Sequence, residues 1–277
     1  MLGIGKFKSL MTRILCVGDI IGKPGRKVVK HMVPLLRKEE KIDLVIANSD
    51  NVTSGTGINQ ENALELLKYG VDIFTAGNHI WRHMDIVEEL KKPEPIILRP
   101  GNFPKNNPGK GWRVLTVPGT NITVAVINLQ TRLMMKQSVF CPFLTGDEIL
   151  QEPEVQNATI KIMDIHGEAS GEKYALFHYF NGRISHMFGT HTHVQTNDAF
   201  VSDQGTSYIT DVGGCLAVNS IIGFEIGPSI QNHITQMPHR SEVEEKGPCR
   251  LGGCIVDIDE TTGKAMAIKA IAPVLEA

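Results

Sequence analysis

The sequence predicts an α/β protein built from two sheets flanked by helices, and three observations carry that prediction. Short β-branched apolar runs alternate with helix-spaced segments up to about residue 80. Each run closes on a polar cluster, as strands do where a parallel sheet gathers its ligand-binding residues at one edge. From about residue 100 the texture changes to adjacent strands around a Pro-Gly turn, which is an antiparallel signal.

Taken in order, "RILCVGD" (13 to 19) reads as a buried strand that delivers Asp19 at its carboxyl end. The following "IIGKPGRKVVKHMVPLLRKEEK" turns on Gly22, Pro24 and Gly25 and then takes helical spacing. "IDLVIANSDN" (42 to 51) repeats the strand with a polar end, "NQENALELLKYG" is helical with a glycine stop at Gly70, and "VDIFTAGNHI" (71 to 80) is a third strand. "WRVLTV" and "NITVAVINLQ" flank Pro118-Gly119 as an antiparallel pair. "ATIKIMDIHGEAS" (158 to 170) is a strand, "GEKYALFHYFN" a helix, and "ISHMFGTHTHVQ" a strand running into a His-Thr-His triplet. In extended chain His191 and His193 would face the same side. "GTSYITDVGG" is a further strand, residues 219 to 247 read as a helix plus a lid or subunit contact, and "RLGGCIVDIDETTGKAMAIKAI" closes as a hairpin around residues 261 to 263. Residues 1 to 12 read as an N-terminal extension, residues 13 to 277 as a single domain.

Composition narrows the class. At 277 residues, 42% hydrophobic and 21% charged, the chain can bury a large core. A net charge of -2 gives no reason to expect duplex nucleic acid or an anionic membrane as partner. Five cysteines without CxxC spacing suggest neither a disulfide framework nor a zinc knuckle and point to a reducing, cytoplasmic setting. No run is long and apolar enough to cross a bilayer. The glycines at 18, 22 and 25 match neither GxxxxGK[ST] nor GxGxxG, which argues against a nucleotide P-loop.

The polar strand ends accumulate as Asp19, Asn48-Ser49-Asp50-Asn51, Gly77-Asn78-His79, Asp164-Ile165-His166 and His191-Thr192-His193. Carboxylates, imidazoles and carboxamides together suit two borderline-hard metal ions better than a thiolate site does. Two such ions can clamp a phosphoryl group and stabilise the charge that develops on it. Singly, Asp19 or Asp50 could cap a helix and His79 or His166 could be a packing residue; it is the ordered set that argues for a metal centre. His31, His83, His178, His186, His233 and His239 fall outside it and read as surface or packing residues. Trp81 and Trp112 suit packing as well as base stacking.

"GDIIGKPGR", "NSDN", "AGNHIW", "DIHGEASGEK", "GTHTHVQTND" and "TSYITDVG" together resemble the calcineurin-like metallophosphoesterases, and more narrowly the bacterial YmdB-like branch of cyclic-nucleotide phosphodiesterases, from about Met11 to Ile271. The resemblance implies the calcineurin-like two-sheet fold and a dinuclear centre of divalent or trivalent ions, iron or manganese first and zinc as the alternative. By position it implies Asp19, Asp50, Asn51, Asn78, His166, His191 and His193 as metal ligands, Asp50 bridging. His79 matches the catalytic histidine that protonates the departing ribose oxygen, which suits an imidazole. It further implies a small cyclic nucleotide, a 2',3'-cyclic nucleoside monophosphate, as substrate, and a homo-oligomer. The branch usually carries Asn-Gly-Glu-Asn where this chain has Asn48-Ser49-Asp50-Asn51, so a shorter carboxylate stands at the bridging position. "GGCL" (213 to 216) also departs from the branch. Competing readings are a regulatory scaffold with a vestigial site, a phosphoesterase for other esters such as RNA ends, and a non-phosphate metal hydrolase.

Overall fold

The computed structural model describes residues 10–276. In chain order the elements are β1 (Met11–Val17), β2 (Asp19–Ile20), α1 (Gly22–Glu39), β3 (Leu44–Asn48), α2 (Gln60–Lys68), β4 (Ile73–Thr75), α3 (Val87–Leu90), β5 (Ile97–Leu98), β6 (Trp112–Thr116) and β7 (Thr123–Gln130). They continue with α4 (Pro142–Leu150), α5 (Pro153–Asn157), β8 (Ile160–His166), α6 (Ser170–Phe180), β9 (His186–Thr190), β10 (Phe200–Val201), β11 (Ser207–Ile209) and β12 (Gly214–Ala217). The chain ends with α7 (Ile226–Thr235), β13 (Cys249–Arg250), β14 (Gly253–Asp259), β15 (Ala265–Ile271) and β16 (Val274–Leu275).

Two six-stranded sheets result, in the orders β15-β14-β1-β3-β4-β5 and β10-β11-β9-β8-β7-β6. A four-stranded sheet, β16-β13-β12-β2, stands beside them; its strands, two to four residues long, are too short to show in the sequence pattern. The strands β1, β3 and β4 are apolar on both faces, and the structure uses both. Along β1, Ile14 and Cys16 face the opposite sheet while Leu15 and Val17 pack beneath the helices. On the other sheet Ile160 and Ile162 face inward, and Met163 and Ile165 meet α4 and α6. The outcome is four layers, helix, sheet, sheet, helix, with three apolar cores between them.

Local chemistry sets the element boundaries. Gly22 opens α1 at φ 55°, a left-handed conformation that glycine adopts at no steric cost. Asn59 caps α2 by accepting a hydrogen bond from the Asn62 amide at 3.0 Å. Pro142 and Pro153 begin α4 and α5, the position where a missing N–H does no harm. Neither helix stands out in the sequence: α5 has only five residues, and α4 carries Thr145 and Gly146 at its centre in place of a continuous apolar stripe. The Pro118-Gly119 turn and the closing hairpin pair as expected, β6 with β7 and β14 with β15, both antiparallel. The 219 to 247 segment contains α7, as anticipated. Among the described residues no helix is long and apolar enough to cross a membrane.

Candidate metal centre

The parallel strands β3, β4, β8 and β9 end side by side, with Asn48 registered against Thr75 and His166 against Thr190. The loops leaving these ends carry the polar clusters to one place. Asp19, Asp50, Asn51, His166 and His193 are all buried, and His79 and His191 are partly exposed.

Asp50 anchors the arrangement. Its Oδ1 accepts the Gly77 and His79 backbone amides at 2.7 and 2.9 Å. Its Oδ2 lies 3.4 Å from His166 Nε2 and 3.0 Å from His79 Nδ1 without the alignment of a hydrogen bond. The aspartate therefore reaches both imidazoles despite being one methylene shorter than the branch's usual glutamate. Asp19 accepts the His191 amide through Oδ2 at 2.9 Å and turns Oδ1 toward His193 Nε2 at 3.8 Å and His166 Nδ1 at 4.0 Å. Asn78 Oδ1 and His191 Nδ1 both stand 3.1 Å from His166 Nε2. The Asn51 amide donates to the Gly55 carbonyl, which fixes the orientation of its carboxamide. Asp19, Asp50, Asn78, His79, His166, His191 and His193 thus meet in one cluster, and Asn51 follows Asp50 in the chain with its carboxamide bound to Gly55.

The His-Thr-His triplet gets there differently from the expectation. Strand β9 stops at Thr190, and His191 and His193 take φ values of 99° and 64°, so neither is extended. Lys173 holds the bend in place, donating to the Thr190 carbonyl at 2.8 Å and to Asp211 at 3.0 Å. Asp211 in turn accepts the Thr192 hydroxyl at 2.8 Å. The two rings are thereby divided, His191 toward His166 and His193 toward Asp19. Backbone strain of this kind persists only where surrounding bonds enforce it.

A second set of residues, overlooked in the sequence as site components, orients the first. Asp164 is fully buried and accepts hydrogen bonds from Asn48 at 2.9 Å, from Thr190 at 2.8 Å and from Thr75. Burial pushes its carboxyl up to about 6, against the opposing pull of His166 and these donors. Thr190 Oγ1 lies 3.0 Å from His166 Nδ1, so this network leaves Nε2 to face the cluster. Glu168 Oε2 stands 3.4 Å from His191 Nε2. The available signals were Lys173 beside the apolar run Ala175-Leu176-Phe177 of α6 and Asp211 at the end of "SYITD".

Charge in the cluster is poorly compensated by protein alone. Burial opposes ionisation of Asp50, but His166 and His79 outweigh it and hold the carboxyl well below the usual range. Burial raises Asp19, and burial together with the neighbouring His166 lowers His191 to about 3. Asp19 Oδ1 and Asp50 Oδ2 are buried oxygens with no hydrogen-bond donor. A buried carboxylate oxygen left bare is costly unless a cation or donor meets it. Oxygen and imidazole donors around two bare carboxylate oxygens fit borderline divalent ions. Beside the cluster opens a cleft of about 520 Å³ lined by His79, Trp81, Arg82, Met134, Lys136 and Gln137 among others. A slightly larger cleft, about 550 Å³ beside Arg99, Trp112 and Phe140, shares no residue with it.

A two-sheet α/β fold that collects buried carboxylates, imidazoles and a Gly-Asn-His turn at its strand ends defines a metallophosphoesterase of the calcineurin-like class. The family model described as YmdB-like protein matches residues 15–271, and the chain belongs to that family. It is 40% identical over 259 residues to the 2',3'-cyclic-nucleotide 2'-phosphodiesterase of Bacillus subtilis, covering 94% of this chain and 96% of that protein. Among solved structures it is similar to a hypothetical protein from Thermus thermophilus, with TM-score 0.88 and 33% identity over 96% of this chain and all of the other. It is also similar to a protein of Mycoplasma pneumoniae described as a novel phosphatase, with TM-score 0.88 and 29% identity over 96% and 94% of the two chains.

Proposed function

We propose that the chain is a dinuclear metal-dependent phosphodiesterase that hydrolyses small cyclic nucleotides, 2',3'-cyclic nucleoside monophosphates first among them. The observation that carries the metal-dependent chemistry is the pair of bare, buried oxygens, Asp19 Oδ1 and Asp50 Oδ2, ringed by imidazoles. The cyclic-nucleotide substrate is supported by the similarity to the Bacillus subtilis enzyme.

In this reading Asp19, Asp50, Asn51, Asn78, His166, His191 and His193 are the ligands, with Asp50 shared. Iron or manganese is preferred and zinc is the alternative. Two bound ions would supply Lewis acidity toward the phosphate oxygens and a nucleophile from water at neutral pH. The protein's own part is positional. Asp50 holds His79 through its backbone amide and lies 3.0 Å from its Nδ1, and the ring borders the cleft. From there His79 protonates the ribose oxygen that leaves phosphorus as the cyclic ester opens. Arg82 and Lys136 line the same cleft, which among the described residues has no carboxylate in its lining, and favour an anionic substrate, and Trp81 offers a face for its base.

Residues 13 to 277 act as one domain and 1 to 12 as an extension, of which Met11 and Thr12 join β1 and the first nine residues lie outside those described. The apolar stripe of Ile226, Ile230 and Ile234 on α7, 45, 42 and 70% exposed, supports a homo-oligomer. Five free cysteines, four of them buried, support a cytoplasmic setting.

The test is turnover of 2',3'-cyclic AMP against 3',5'-cyclic AMP and bis-p-nitrophenyl phosphate. Preference for the first ester supports the reading. Turnover of bis-p-nitrophenyl phosphate with neither cyclic nucleotide consumed keeps the phosphodiesterase chemistry and rejects the cyclic-nucleotide substrate.

A further inference from the structure

A second constellation with ligand chemistry lies between the two large sheets, and the function above makes no use of it. Cys16 on β1 and Cys254 on β14 are directly opposed in antiparallel register. Their side chains point into the layer between the sheets, where His186 of β9 comes down from the other side. All three residues are fully buried. Their sulfur and ring-nitrogen atoms lie within 4.8 Å of one another, and Cys254 Sγ is 3.4 Å from His186 Nε2. The separation of 238 positions between the cysteines explains why no spacing motif announced them.

The imidazole is already set for ligation. His186 Nδ1 stands 2.9 Å from the Ser207 hydroxyl and 3.3 Å from the Ser207 carbonyl. With the Ser207 hydroxyl donating to the Ser185 carbonyl at 3.4 Å, both Ser207 oxygens can accept from Nδ1–H, and in that tautomer the Nε2 lone pair faces the sulfurs. Metal-bound histidines are oriented in the same manner, through a backbone acceptor on the remote nitrogen. Metal–sulfur and metal–nitrogen bonds of about 2.3 and 2.0 Å at tetrahedral or trigonal angles separate the donors by roughly 3.5–4 Å. The 3.4 Å separation of Sγ and Nε2 therefore needs almost no adjustment. The surroundings, Ile14, Ile46, Phe188 and Val256, are apolar, so two thiolates there require a cation to balance them.

We propose that Cys16, Cys254 and His186 form a structural binding site for one thiophilic d10 cation, zinc or copper(I), that ties the two sheets together. Soft thiolates with one imidazole select these ions over the harder metals suited to the carboxylate-rich centre. The two sites share no residue. The closed position means the ion enters as the chain folds, so that binding contributes to folding stability.

Cobalt(II) is the probe, because thiolate ligation produces a near-ultraviolet charge-transfer band that carboxylate and imidazole ligation does not. The full chain is unfolded under reducing conditions and refolded with cobalt, as wild type, Asp50→Asn, Cys16→Val, Cys254→Val and the milder Cys254→Ser. The expected result is one equivalent of thiolate-bound cobalt in wild type and in Asp50→Asn, at least 100-fold weaker binding in each cysteine variant that refolds, and bleaching of the band by zinc or copper(I). The serine variant serves if the valine variants fail to fold, as does the band in the wild type alone. Absence of the band in refolded wild type, its persistence in the cysteine variants, or failure of both zinc and copper(I) to displace cobalt would each overturn the assignment.

Discussion

In a Gly77→Ala variant the new Cβ would stand 2.1 Å from His166 Nε2, 2.2 Å from Cδ2 and 2.5 Å from Cε1. Ordinary carbon contacts begin near 3.5 Å, so the ring must retreat by more than about 1 Å. It has no room to do so. His166 is fully buried, with Thr190 Oγ1 at 3.0 Å on one nitrogen and Asn78 Oδ1 at 3.1 Å on the other. Gly77 itself has no positive φ, so alanine is acceptable to the backbone and the perturbation is purely steric. A displacement of about 1 Å at a catalytic centre lowers turnover on the order of 100-fold, and overpacking removes about 1–3 kcal/mol of stability. The assay is kcat on 2',3'-cyclic AMP and bis-p-nitrophenyl phosphate with metal content on the same samples, plus urea denaturation. Gly171→Ala is the control: it lies in α6 with nothing within 4 Å of the added methyl. It should keep full activity and gain up to about 1 kcal/mol. Wild-type activity and metal content in Gly77→Ala would refute the placement of His166 in the site.

Other perturbations separate roles. Lys173→Met leaves Asp211 buried without its cation and releases the Thr190 carbonyl; it should lose about 3–5 kcal/mol in urea denaturation, and retention of stability would refute the anchor role. His79→Ala should reduce kcat about 100- to 10,000-fold with the metal content unchanged, whereas loss of metal would make His79 a ligand instead. Removing the ions with a chelator should abolish turnover and lower the melting temperature by baring Asp19 and Asp50, and manganese or iron should restore both. Burial opposes ionisation of Asp198, but Thr196 and Thr210 hydrogen bonds outweigh it and lower its pKa below 3.8. A depressed folded-state pKa contributes stability above the unfolded value that is lost as pH falls through the folded one. The stability gap between wild type and Asp198→Asn should therefore be full at pH 7 and shrink below about pH 4 in acid denaturation.

How much of this was legible in the chain depended on how local the cause was. Strands β1, β3, β4, β8 and β9 announced themselves because buried parallel strands are apolar throughout and end in polar residues. Helices α4 and α5 did not, since α5 is five residues long and Thr145 and Gly146 interrupt the apolar pattern of α4. The short strands β2, β12, β13 and β16 exist only through pairing partners far away in sequence. In the site, the strand-end residues from Asp19 to His193 were readable as an ordered set. The bend at His191 was not, because it is imposed by Lys173 and Asp211 from other elements. Asp164 was visible as a polar tip, but its bonds to Asn48, Thr75 and Thr190 depend on three neighbouring strand ends meeting. The Cys16, Cys254 and His186 cluster is the extreme case, assembled wholly by sheet register and sheet stacking.

The most direct test of the central claim is hydrolysis of 2',3'-cyclic AMP by wild type and Asp50→Asn, with metal content measured on the same preparations. Wild type should bind two ions at the O/N-donor centre, counted apart from any thiolate-bound ion, and turnover should disappear together with at least one of them in Asp50→Asn. Two ions at that centre with no turnover of this ester or of bis-p-nitrophenyl phosphate would contradict the phosphodiesterase assignment. Full turnover by Asp50→Asn would contradict the bridging role of Asp50 on which the geometry rests.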